Sequence, residues 1–136
     1  MSSPNTKSLF ISHAWNQNQH YWERVVGWLE SETNFFWRNC SCPDLAALPD
    51  RSSQSLSEEM TRQIASAQAV IILSELYAAN SDWVDYQISE AKRMKKLIIG
   101  VAPLERGSMP REVREAADLV AGSHSTSLVN IVRFVA

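Results

Sequence analysis

A chain of 136 residues with 45% hydrophobic and 21% charged residues has the size and composition of one soluble globular domain, 1–136. Its net charge of −2 gives no electrostatic case for nucleic acid or an anionic membrane surface. No apolar run approaches the ~20 residues of a membrane span, and the polar start "MSSPNTKS" lacks a signal-peptide apolar region, which points to the cytoplasm.

The first element is "KSLFIS", 7–12, a short apolar run of β-formers that reads as a strand. "NQHYWERVVGWLESE", 18–32, sets Tyr21, Val25, Trp28 and Leu29 at helical spacing, with Trp22 and Val26 widening the stripe, so one helix face is buried. "NFFWRNC", 34–40, reads as the second strand. Cys40 and Cys42 are one residue apart, poor spacing for a disulfide and not the CxxC of metal or redox sites, so they are expected to be plain thiols. With three scattered histidines, no metal site is predicted. "SCPDLAALPDRSSQ", 41–54, is a long polar segment with two prolines and no period; its length marks a functional or mobile loop, which carries Asp44 and Arg51. Ser55 and Glu58 have the Ser-x-x-Glu spacing of a capping box, and Leu56, Met60, Ile64 and Ala67 share one face of the helix behind it.

"AVIILS", 69–74, is continuously apolar, as a central parallel strand buried on both faces must be. The loop "SELYAANSDW" leads to a helix from Ser81 or Asp82 to about Lys96, with Val84, Ile88 and Ala91 in one apolar line. Lys92, Arg93, Lys95 and Lys96 gather in its last turns, where cations suit the helix dipole. "LIIGVA", 97–102, is a second fully buried strand; Pro110 opens a helix over 110–118, and "DLVAG" is a fifth strand. A final helix over 125–134 turns Leu128, Ile131, Val132 and Phe134 inward. This alternation predicts an α/β fold: a flavodoxin-like, doubly wound, five-stranded parallel sheet in the order 2-1-3-4-5.

Ligands of such sheets bind beyond the carboxyl ends of the strands, at the switch point. Here that places "SHAWNQN", the long proline-containing loop and "SELYAANSDW" around one cleft. There is no GxGxxG, GxxxxGK[ST] or GxSxG, so a Rossmann dinucleotide site, a P-loop and an esterase elbow are all unsupported. Ser12 and His13 are consecutive, so their side chains should point apart rather than form a dyad. His20 is expected at a helix start facing solvent, His124 at the start of the last helix, and Phe10 in the core. Gln87, four residues after Trp83, shares its helix face; with Tyr77 in the preceding loop, these suggest a pocket. Trp15 is placed to stack on an aromatic base.

In order and spacing, "LFISHAW" (9–15), "IASAQAVIILSELYAANSDWVDYQISEA" (64–91) and "KLIIGV" (96–101) resemble the TIR domains, in particular the TIR-like proteins of bacterial Thoeris antiphage defence. The resemblance spans nearly the whole chain. It implies cleavage of the nicotinamide–ribose bond of NAD+, releasing nicotinamide and ADP-ribose, a cyclised isomer or a conjugate that signals to a separate effector. It implies NAD+ as substrate with no further cofactor, self-association through TIR surfaces, and a long loop bearing Asp44 that gates the pocket or meets a neighbouring subunit. His13, Trp15, Asp44, Tyr77 and Trp83 fall to the substrate side of that picture.

The family's catalytic glutamate falls on Gln87, and its first-box serine on Ser12. An amide can hold ribose hydroxyls but cannot stabilise oxocarbenium charge as a carboxylate does. Losing such a partner costs on the order of 10²–10³ in rate, so this copy is expected to be disabled. Three explanations stay open: an engineered change, a natural binding-only paralogue, or a register in which Asp85 or Glu90 serves. The last two lie about 200° and 300° around the helix from Gln87 at ~100° per residue. The alternatives in function are a non-catalytic TIR interaction or nucleotide-binding module, and an enzyme like the nucleoside deoxyribosyltransferases.

Overall fold

The computed structural model describes residues 6–103 and 107–135. Five parallel strands, β1 (Lys7–Ile11), β2 (Trp37–Asn39), β3 (Ala69–Leu73), β4 (Leu97–Val101) and β5 (Leu119–Ala121), form one sheet in the order β2-β1-β3-β4-β5. The helices are α1 (Gln19–Ser31), α2 (Ser53–Ala65), α3 (Ser74–Ala79), α4 (Ser81–Arg93), α5 (Arg111–Ala116) and α6 (Ser125–Val135). The flavodoxin-like order expected from the alternation of elements is the one observed. Among the described residues no helix is long and apolar enough to cross a membrane. Residues 1–5 of the polar start "MSSPNTKS" lie outside the described residues.

Burial follows the hydrophobic pattern. All five residues of β3 are buried, and so are Ile98, Ile99 and Val101 of β4. Each such Ile, Val or Leu contributes ~1.5–3 kcal/mol through surface removed from water. Reversal of the winding at β1 puts α1, which packs on α6, opposite α2, which packs on α4. Gly100 in β4 lets α5 come close: a Cβ there would stand 3.1 Å from the Cβ of Ala117.

Several element ends differ from the sequence reading, each for a local reason. The second strand starts at Trp37, not 34, because Asn34 turns the backbone into the left-handed region at φ 59°. The cap of α2 is Ser52, whose hydroxyl accepts from the Ser55 amide at 3.2 Å. Ser55 instead donates to Asp50 (2.8 Å) and Glu58 accepts from Gln54 (3.1 Å), so the capping-box pair is engaged elsewhere. The segment after β3 is not all loop, since α3 occupies its first six residues. α4 stops at Arg93, with Lys95 left-handed at φ 58° just beyond it. Phe134 is 86% exposed rather than inward; Leu128, Val129 and Val132 form the buried face of α6.

The minor expectations fare better. Cys40 and Cys42 are free thiols. His20 is exposed at the start of α1, and the His124 ring accepts from the Ser127 amide at 3.3 Å, as a cap. Phe10 is fully buried.

Candidate functional site

The carboxyl ends of β1 and β3, neighbours across the switch point, bring two chain segments together. Ser12 follows β1 directly and Gln87 lies in the second turn of α4. The Ser12 hydroxyl donates to Gln87 Oε1 at 2.6 Å, and neither residue has exposed surface. The Gln87 amide nitrogen donates to the backbone carbonyl of His13 and meets Met60 Sδ at 3.5 Å. Because that carbonyl can only accept, the nitrogen must face it and the oxygen must face Ser12.

His13 turns away from Ser12, as expected for consecutive residues, and binds Gln63. Its Nδ1 accepts from the Trp15 amide at 3.2 Å, so the ring proton sits on Nε2 and is donated to Gln63 Oε1 at 2.9 Å. Burial disfavours the imidazolium, and the pKa falls to about 4 although Gln63 and Glu59 oppose the shift. Gln63 also spans the backbone of Cys42: its oxygen accepts from that amide and its nitrogen donates to that carbonyl, both at 3.1 Å. One side chain thus joins the loop after β1 to the long loop after β2.

Trp15 is 2% exposed and sits in the left-handed region at φ 54°. Its ring meets His13 edge-on at 4.9 Å and Trp83 edge-on at 6.1 Å. Trp83 in turn meets Tyr86, and is half-buried beside a surface cavity of about 320 Å³ shared with Gln17, Asn80 and Asp82. Side-chain amides close this rim. Asn18 donates to Asn80 Oδ1 at 2.8 Å, Asn80 donates to Gln17 at 3.0 Å, and Asn16 accepts from the Leu45 amide at 2.9 Å.

The sequence-selected residues therefore divide. Ser12, Gln87, His13, Trp15 and Trp83 form one continuous group. Tyr77 does not join it: α3 turns its phenol toward Asp85 and Glu112, and burial with those carboxylates pushes its pKa up to about 12. Asp44 is exposed and caps a short 3-10 turn, Leu45–Ala47, by accepting from the Ala46 amide at 2.9 Å. Asp85 is exposed, away from Gln87. Glu90 is held by Thr61 at 2.6 Å and by Arg93 at 2.8 and 3.0 Å, which keeps its carboxyl below the usual range. Neither carboxylate takes the place of Gln87. Gln63 escaped sequence reasoning, though a signal was present: a polar residue one turn after Met60 and beside Ile64, on a helix face otherwise apolar.

The family model described as the Thoeris protein ThsB, TIR-like domain, matches residues 10–107. No curated protein matches the chain. Among solved structures, the chain is similar to a CMP N-glycosidase of Clostridium botulinum, with a TM-score of 0.55 and 17% identity over 93% of this chain and 97% of that one. At that identity the likeness describes the shared fold.

Proposed function

The chain belongs to the Thoeris ThsB TIR-like family, whose place is in antiphage defence, and on that premise we propose that its site handles NAD+ by cleaving the bond between nicotinamide and ribose. The observation that carries this reading is the buried Ser12–Gln87 pair at the switch point of the sheet. In the cleavage, the C1′–N bond breaks with its electrons leaving on nicotinamide, and the ribose acquires oxocarbenium character. Water, or another nucleophile within the substrate, then bonds to C1′, giving ADP-ribose or a cyclised isomer. A carboxylate at position 87, with a serine hydroxyl fixing it, would stabilise that charge. Gln87 keeps the shape and the Ser12 contact but supplies no charge, so this chain holds the dinucleotide and turns it over slowly. The product acts as the signal to a separate effector, and the chain self-associates through its TIR surfaces.

The test compares nicotinamide release by this chain and by Gln87→Glu, with products identified by mass spectrometry. The glutamate form should be faster by about 10²–10³. If neither form consumes NAD+ while the chain self-associates, the interaction-module reading replaces this one. The likeness to a CMP N-glycosidase motivates a second reading, cleavage of a nucleoside monophosphate; cytosine release from CMP by the glutamate form would favour it.

A further inference from the structure

Among the described residues, Trp15 Nε1 is the buried side-chain donor that lacks an acceptor. Such an orphan N–H is costly, because it has given up its bond to water and gained none in return. It lies in the candidate site, on a residue whose backbone is also held left-handed at φ 54°, a conformation unusual for a bulky side chain. With 2% of the residue exposed, the ring has no free face for a base, so the stacking expected from sequence does not describe this conformation.

Its neighbours indicate what the donor would meet. The rings against it, His13 and Trp83, are uncharged, because burial keeps His13 neutral at pH 7. A phosphate brought here would have no cation among these contacts, and burying an unpaired charge is costly. A neutral carbonyl oxygen has no such cost and satisfies one N–H. The turn carrying Trp15 is fastened to Asn80 and Leu45 through the exposed amides of Asn16, Gln17 and Asn18. Exposed hydrogen bonds of this kind exchange readily with water, so each adds little net hold. With them released, the turn keeps its buried tether, the Trp15 amide on His13 Nδ1, and can loosen around it while the Ser12–Gln87 pair stays intact.

We propose that the Trp15 indole N–H recognises the substrate's neutral carboxamide oxygen, the group that distinguishes nicotinamide from the rest of the dinucleotide, once the Asn80 fastening lets the turn open. This rests on the NAD+ reading of the site.

Indole-¹⁵N labelling reports it directly, since five tryptophans give five resonances. Trp15→Phe and Trp83→Phe assign the two that matter. In the free protein the Trp15 indole proton should lie upfield, as an unbonded N–H. Nicotinamide and NAD+ should each move it downfield, ADP-ribose should not, and Trp15→Phe should weaken NAD+ binding about tenfold, equivalent to ~1.4 kcal/mol. A downfield Trp15 signal before any addition, showing a buried water on the N–H, overturns the inference. So does a shift of Trp83 with NAD+ while Trp15 stays still, or an equal response of Trp15 to ADP-ribose; these leave the NAD+ reading standing. If NAD+ and nicotinamide move no indole resonance, the NAD+ reading falls and this inference falls with it.

Discussion

Gln87 and Glu90 sit one turn apart on α4 and face opposite kinds of surroundings. Glu90 is half-buried, with a hydroxyl and a guanidinium around its carboxylate. Gln87 is fully buried between one donor, Ser12, and two acceptors, the His13 carbonyl and the weaker Met60 sulfur. The first environment selects for negative charge. The second, as it stands closed, fits an amide better than an ionised acid, because an amide alone offers an oxygen to Ser12 and an N–H to His13. A glutamate at position 87 would have to hold a proton in the closed site, and could work as a carboxylate only with the site open.

The largest expected effect is therefore at Gln87→Glu. Beside the gain of about 10²–10³ in nicotinamide release, this variant should be less stable than the parent at pH 7 by ~1–3 kcal/mol. Burial and the facing carbonyl raise the folded-state pKa of such a glutamate above the unfolded ~4.3. Its stabilising, protonated form is thus fully present below pH ~4 and lost as pH rises through the folded pKa. Urea unfolding of both forms from pH 4 to 8 would show the gap widen upward; a gap independent of pH would break the contrast between the two clusters.

His13 has the opposite sign. Its folded pKa, about 4, lies below the unfolded 6.5, so the unfolded chain takes the proton first. Stability should be complete above pH 6.5 and fall by on the order of 3 kcal/mol as pH drops toward 4. Replacement by Gln should flatten that slope, as measured by chemical denaturation.

Ser12→Ala should come next, costing ~1–3 kcal/mol by leaving Gln87 Oε1 buried without a donor. In the Gln87→Glu background it should also lower turnover. Glu90→Gln should be the smallest, under ~1 kcal/mol, because partly exposed ion pairs contribute little, and it should leave nicotinamide release unchanged. A large loss of activity there would mean that the two clusters are not separate.

The strand order was legible because β3 and β4 need both faces apolar, and "AVIIL" and "LIIGV" show that without tertiary information. The Ser12–Gln87 contact was legible only through the family resemblance, since 75 residues separate the pair and no spacing rule links them. Tyr77 was misplaced because a six-residue helix of "SELYAA" has too little period to be distinguished from a loop. The closure of the site was invisible for a related reason: it depends on Asn16, Gln17, Asn18 and Asn80, whose amides look like ordinary loop polarity until folding sets them opposite one another.

The use of both His13 nitrogens has one more consequence. Nδ1 can accept from the Trp15 amide only while it is bare. A proton taken there makes both nitrogens donors, so acid would remove the hydrogen bond that pins the backbone of a left-handed tryptophan. Charge on the imidazole and the hold on the 15–18 turn are then linked, and strong acid would reach the mouth of the site as a loosening of its backbone.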